Sequence, residues 1–444
     1  MRFASFVITA ASFPIVALVS CRAIPPELRE EREALAGTGE TYSRPFEERE
    51  LPMVKSDSAY VELLDRSLRA DPRIEEAYFA WSAAIERVVI EGSPENPTIG
   101  IGWMLTEPIG GFFENIMFSV SQMITAPSKL QFAAKRALEE ARAARVRYDA
   151  LRFERKGRFR EVFAEYDGSA REVELLEQEI KLLDELVQII QQRISIGTST
   201  AQDLIRLDLE KAQIRNEIEA AVNQRKLAMS KVNIMMSREP YEELQIPQPL
   251  APLRMDASDA ALVRLASKRN PQLREIEEIL TSLSTEMGRA RAENDPDVGA
   301  EIEREGTETK FKLLFTIPIR RDRVNAAIAF AEAKYKEAVA KRRTLQNDVS
   351  AETVASITAF REAERKYDYI DSELRPRARN SYDLLLKQFA WGGVTYLDVV
   401  DARRALLQIE RALERARTDR EKALGDLLAC CGADAAEVAD PKEN

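Results

Sequence analysis

Two stretches of this 444-residue chain repeat each other at fixed landmarks, and the duplication restricts the fold more than any figure of composition does. Asp71-Pro72 and Asn96-Pro97 are answered by Asn270-Pro271 and Asp295-Pro296, with the same spacing between prolines both times. Gly197 to Asp203 is answered by Gly392 to Asp398, again with identical internal spacing. The offset is 199 residues at the prolines and 195 at the glycines, so one copy has lost about a helical turn's worth of chain. Internal repeats set architecture. A unit of nearly 200 residues is too long for a solenoid repeat and predicts two structurally equivalent halves.

Each copy carries the same succession of periodicities. Tyr60 to Val89 reads as helix with a break at Asp71-Pro72, and its counterpart runs from about Ala257 to Ala292 around Asn270-Pro271. After Asn96-Pro97 and Asp295-Pro296 the period changes to two. Ile99, Ile101 and Trp103 alternate with Gly100 and Gly102, and Phe311, Leu313, Phe315 and Ile317 alternate with Lys312, Leu314 and Thr316. Such alternation predicts strands with one apolar face. Phe118 to Met123 and Val298 to Ile302 are weaker strands, so each copy holds a hairpin. Two isolated hairpins are marginal in water, whereas ten-residue segments with one apolar face are what a membrane barrel requires.

A very long helical stretch follows each hairpin. Ser128 to Ile194 has no proline and only Gly157 and Gly168. Continuous helix there would reach roughly 100 Å at about 1.5 Å per residue. Val173, Leu176, Ile180, Leu183, Val187, Ile190 and Ile194 fall at alternating spacings of three and four, a coiled-coil stripe. Gly197 ends it and a return helix runs from about Thr200 to Ser237. The second copy rises from Val324 to Phe389, is interrupted at Pro376, turns at Trp391-Gly392-Gly393 and returns from Thr395 to Leu428. The expected divisions are a signal peptide 1–20, an extended arm 21–56, a first repeat 57–244, a linker 245–255, a second repeat 256–432 and a tail 433–444.

Charged residues at 32% with aromatics at 7% suit long helices with solvated faces. The net charge of −10 gives no reason to expect nucleic acid as a partner. The chain has no histidine, the commonest general base and metal ligand. It also lacks a nucleophile motif and a phosphate-binding glycine loop, so we expect no enzyme, no cofactor and no bound metal. The methionines Met104, Met117, Met123, Met229, Met235 and Met236 read as gap-filling core rather than soft-metal ligands. Arg2 followed by an uncharged apolar run to Val19 is a secretory signal pattern. Leu18-Val19-Ser20-Cys21 resembles a bacterial lipoprotein signal, which implies cleavage before Cys21 and lipid on its thiol. Cys430-Cys431 is either a vicinal disulfide or a pair of small residues at a helix end.

This order, duplicated behind such a signal, resembles the TolC-like outer-membrane efflux proteins over residues 57 to 432. The resemblance rests on helix-then-NP steps at Asn96-Pro97 and Asn270-Pro271 and on SQMITAPSKLQFAAKRA at 121–137, where strand runs into helix. GGVTYLDVVDARRALL at 392–407, with its echo GTSTAQDLIRLDLE at 197–210, completes it. The family implies a mainly α fold with a small β part. Three chains would share a twelve-stranded outer-membrane barrel and a periplasmic helical tunnel, as the exit duct of a tripartite efflux or type I secretion system. Its partners would be a second and third copy, a periplasmic adaptor, an inner-membrane pump and outer-membrane lipid. Ile99, Ile101, Trp103, Phe311, Leu313, Phe315 and Ile317 would face that lipid.

By the same resemblance Asp398 and Asp401 match aspartates ringing a periplasmic aperture, with Asp203 as an acidic partner on the other copy. Clustered carboxylates at a constriction hold cations. The plainer reading is that Asp398 and Asp401 start the return helix near its N-terminal dipole. Gly197, Phe389, Trp391, Gly392, Gly393 and Tyr396 form the hairpin tips, expected to pack there or to meet the adaptor. Phe389 and Val394 stand where the family's tyrosine and arginine lock neighbouring helices, so a closed state must be held differently here. Asp401 is matched by Arg206, which leaves the second copy with the denser acidic edge. A lipid-anchored periplasmic scaffold without a pore is the alternative; it explains the helices but not the apolar-faced strands.

Overall fold

A computed structural model describes residues 23–55, 58–103, 116–197, 199–245, 253, 255–305 and 308–439. The signal peptide, Cys21, Met104, most of the linker and the end of the tail lie outside those residues. The chain order is α1 (Leu28–Thr38), α2 (Tyr60–Ala70), α3 (Pro72–Glu91), β1 (Thr98–Trp103), β2 (Ile116–Ile124), α4 (Pro127–Ser195) and α5 (Ala201–Met235). The second copy continues with α6 (Asp259–Arg269), α7 (Pro271–Ala292), β3 (Asp297–Glu305), β4 (Glu308–Thr316), α8 (Arg321–Tyr369), α9 (Arg375–Ala390) and α10 (Tyr396–Cys431). A short α11 (Ala435–Ala439) follows. The duplicated order of helix pair, strand pair and long helical hairpin stands as expected.

The proline landmarks work by sterics and capping. The residue before proline is driven out of the helical region, and Asp71 and Asn270 are extended at ψ 116° and 124°. Their freed side chains then cap the next helix. Asp71 Oδ1 accepts from the backbone N–H of Arg73 (2.9 Å), and Asn270 Oδ1 accepts from those of Gln272 (2.9 Å) and Leu273 (3.3 Å).

The chain divides into two units. One comprises residues 82–142 and 278–339 with the start of the chain. It contains a single antiparallel sheet in the order β1-β2-β3-β4. Asp297, at the start of β3, accepts from the backbone N–H of Ala126 (2.9 Å) and from Lys129 Nζ (2.9 Å), so the strand–helix junctions of the two copies are pinned together.

The other unit comprises residues 36–81, 143–277 and 340 onward. Its largest core joins the predicted stripe on α4 to Leu207 and Ile214 of α5, Tyr382 and Phe389 of α9, and Val399, Val400 and Leu406 of α10. A second core holds Phe159, Phe163, Tyr166, Val232, Met235 and Met236, so the latter two methionines fill space. The two glycines of the long helical stretch mark close crossings with α10. A Cβ on Gly157 would stand 2.6 Å from the Gly425 carbonyl oxygen, and one on Gly168 would stand 2.3 Å from Thr418 Oγ1. Cys430 and Cys431 are buried free thiols closing α10; burial pushes that of Cys431 up to about 12.

One expectation needs correction. Residues 21–56 are not extended throughout, because Leu28–Thr38 is helical. Its buried face is small and its turns are held partly by the Arg29–Glu33 pair (2.8 Å), which an apolar-period reading cannot see. Arg49 then docks on Glu75 while covering the rings of Tyr42 and Phe46. The expected interruption at Pro376 is present as a change of helical bonding rather than a gap. A π-turn at Ile370–Leu374 precedes it, and α9 begins with the proline in its first turn. Proline lacks an amide donor; at a helix start that donor has no intrahelical partner to lose.

Candidate functional site

The sheet separates its side chains by chemistry. Directly paired residues of antiparallel strands share a face. The register therefore groups Ile99 with Val120, Ile302 and Phe311, and sets Ala300 beside Leu313 and Val298 beside Phe315. This face is apolar and open to its surroundings: Phe311 is 74% and Leu313 72% exposed, and Ile99, Ile101, Trp103, Phe315 and Ile317 are exposed with them. The opposite face carries Glu301, Glu303, Lys310 and Lys312, with Lys312 paired to Glu303 and Lys310 to Glu305 (2.6 Å). An apolar outer face over a charged inner one suits a strand between lipid and an aqueous lumen.

In the helical unit each hairpin tip is a left-handed glycine followed by a capping box. Gly197 has φ +77° and Gly392 φ +82°, values that disfavour any residue with a Cβ. The Gly392 N–H donates to Phe389 O (3.0 Å) and the Gly393 N–H to Gln388 O (2.9 Å), which closes the C-terminus of α9. Thr200 and Asp203 then start α5 as Thr395 and Asp398 start α10. Asp398 Oδ2 accepts from the Thr395 N–H (2.9 Å) and hydroxyl (2.6 Å), bonds that hold its carboxyl below the usual range. The helix-starting reading is thus realised at Asp398, which is exposed, while Asp203 plays the same part in the first copy and is half-buried. Asp401, one turn on, lies 3.6 Å from Arg404.

The structure divides the expected aromatic group. Phe389 (2% exposed) and Tyr396 are buried in the core, so neither ring is available at the surface, whereas Trp391 is 90% exposed. Arg193 of α4 lies over the Phe389 ring, 4.0 Å from its centroid, a cation–π contact between the two hairpins. Burial, together with nearby Glu210, pushes the Tyr396 phenol up to about 12.

A set of ion pairs that the sequence reading missed ties the same helices together. Arg403 of α10 donates to Glu179 of α4 (2.7 and 2.6 Å) beneath the core surface. Arg404 grips Glu210 of α5, and Arg411 bridges Glu172 (2.6 Å) and Glu217 (2.7 Å). Lys422 and Lys231 both reach Glu165 (2.8 and 2.9 Å). Glu165, Glu172 and Glu179 are seven residues apart, as are Glu210 and Glu217, and Arg404 and Arg411. That heptad spacing was the available signal.

A sheet with one apolar face and a set of glycine-tipped helical hairpins define the fold class, and comparison with known proteins agrees. Residues 262–433 match the family model described as outer membrane efflux protein. A membrane protein of Pseudomonas aeruginosa superposes with a TM-score of 0.68 at 19% identity, over 84% of this chain and 92% of that one. The outer membrane protein VceC of Vibrio cholerae gives 0.67 at 16% identity over 84% and 96%. The open state of the MtrE outer membrane channel of Neisseria gonorrhoeae gives 0.67 at 16% over 84% and 88%. No curated protein sequence matches. Residues 262–433 thus resemble the outer membrane efflux proteins, and the chain as a whole shares the fold of these outer-membrane channels.

Proposed function

We propose that three copies of this chain form one exit duct in the outer membrane. It is a passive conduit for substrates delivered by an inner-membrane pump through a periplasmic adaptor. The observation that carries this reading is the four-stranded sheet with one apolar face, one charged face and two open edges. β1 and β4 are the edge strands, and hydrocarbon does not tolerate an open edge. Three copies supply twelve strands, and because β1 and β4 run in opposite directions, each edge can pair antiparallel with the next copy. A scaffold without a pore would leave the exposed apolar face with no environment to suit it.

Asp401 and Asp398, multiplied by threefold symmetry, are the residues we assign to an acidic ring at the hairpin tips, with Asp203 beside them. The pairs Arg403–Glu179 and Arg404–Glu210 and the Arg193–Phe389 contact are assigned the lock that Phe389 and Val394 cannot supply by the family's usual bonds. Trp391 is the tip residue left for the adaptor. Conductance of purified protein in planar bilayers tests the reading. Wild type is expected to form a cation-preferring pore, and Asp398→Asn/Asp401→Asn, which keeps the cap's acceptor oxygen, to lose most of that preference. Because the Thr395 bonds hold the Asp398 carboxyl below its ordinary value, its charge and its share of the preference should persist from pH 7 to pH 5. Absence of any pore would end the channel reading. Unchanged ion preference in the variant would end the aperture assignment alone.

Lipid on Cys21 has separate support. The Ala23 N–H donates to Gly92 O (2.9 Å), at the end of the helix that leads into β1. A Cβ on Gly92 would meet Ala23 O at 3.1 Å. The chain just after Cys21 is thereby fixed beside the start of the sheet, where a lipid anchor can reach the same membrane. Fatty-acid label is expected in wild type and absent from Cys21→Ser; equal labelling of both would refute lipidation at this residue.

A further inference from the structure

We propose that Arg304 binds the phosphate of an outer-leaflet lipid headgroup. This rests on the membrane-spanning reading of the sheet. Arg304 pairs with Phe118 of β2 and Thr309 of β4 and so stands on the apolar face, exposed. Among the described residues on that face it is the only charged one. The other charged side chains of β3 and β4 between Glu301 and Lys312 alternate onto the opposite face.

Its height follows from the topology. Asp297 pairs with Thr316 and Ile124 with Val298 at the end of the sheet where strands join helices. Arg304 lies at the other end, one residue before Glu305, which pairs with Glu308 to close the hairpin. From Val298 to Arg304 is about 20 Å along the strand at about 3.3 Å per residue. The helices extend into the periplasm, so the loop end meets the outer leaflet. A lipid-facing arginine is disfavoured at mid-membrane but tolerated near an interface. There the guanidinium can pair two N–H groups with phosphate oxygens. Trp103, on the same face and one pair beyond Ile101, supplies the aromatic ring typical of that depth.

Native mass spectrometry of detergent-purified protein, given lipid A carrying both phosphates or lipid A stripped of them, tests the assignment. Wild type is expected to retain the phosphorylated lipid, Arg304→Gln about fivefold less of it, and Arg304→Lys an intermediate amount. Equal retention by wild type and Arg304→Gln would overturn the proposal, as would equal retention of the two lipids by wild type. Displacement of the lipid by millimolar inorganic phosphate would make this an anion site and overturn lipid recognition. Release of the protein from membranes by a urea wash would instead remove the membrane-spanning reading itself, a failure distinguishable from loss of the Arg304 site alone.

Discussion

Arg403→Ala is expected to lower the stability of the helical unit by about 3–5 kcal/mol, since removing one partner of a buried ion pair strands the other charge away from water. The side chains of Arg403 and Glu179 are only 8% and 3% exposed. The guanidinium also lies over the Tyr382 ring, 5.4 Å from its centroid, so packing is lost with the charge. The double variant Glu179→Leu/Arg403→Met should recover most of the loss, because an apolar pair of similar volume needs no desolvated charge. Arg365→Ala, whose partner Glu362 is exposed like itself, should change nothing measurable. Denaturant unfolding in detergent decides the matter. An Arg403→Ala curve overlying wild type would mean that the pair does not bind α10 to α4.

Gly425→Val is expected to cost about 1–3 kcal/mol or more and to reduce assembly. Gly157 and Gly425 face each other so closely that a Cβ on Gly425 would stand 2.8 Å from the Gly157 carbonyl oxygen. The obstructing atoms are backbone, which cannot swing aside as a side chain would, so the helices must separate or bend. Gly37→Ala meets nothing within 4 Å and should be harmless. If valine at 425 left the melting temperature and the assembled fraction unchanged, close helix approach would not be what that glycine provides.

Much of this arrangement was legible in the sequence because the relevant forces are periodic or local. Phe311, Leu313 and Phe315 alternate because the pleat does, and the α4 stripe follows its helical repeat. The Thr-x-x-Asp steps at Thr200 and Thr395 are short-range bonds. What escaped depended on distant partners. Glu210 shows its spacing openly, but Arg404, its counter-charge, lies 194 residues away. The burial of Phe389 and Tyr396, with Trp391 left outside, is decided by which helix arrives beside them. The sheet face of Arg304 follows from alternation, but its depth needs the hairpin register. Pro376 was visible as a disturbance; its accommodation by a preceding π-turn is a change in backbone bonding that no side chain announces.

The strand segments account for the unequal copies, and the π-turn offsets part of the difference. Between Pro97 and Pro127 the first copy spends 30 residues on its strands, and between Pro296 and Arg321 the second spends 25. The second rising arm has 49, 5 and 16 residues in its three parts, one more than the 69 of α4. A π-turn takes up that extra residue within its wider turn, so the helix beyond it keeps the facing it would have had without the insertion. In a threefold assembly the six hairpins would then match in both length and facing. With the π-turn in only one hairpin of each pair, such a ring would alternate two kinds of hairpin and be sixfold only in outline.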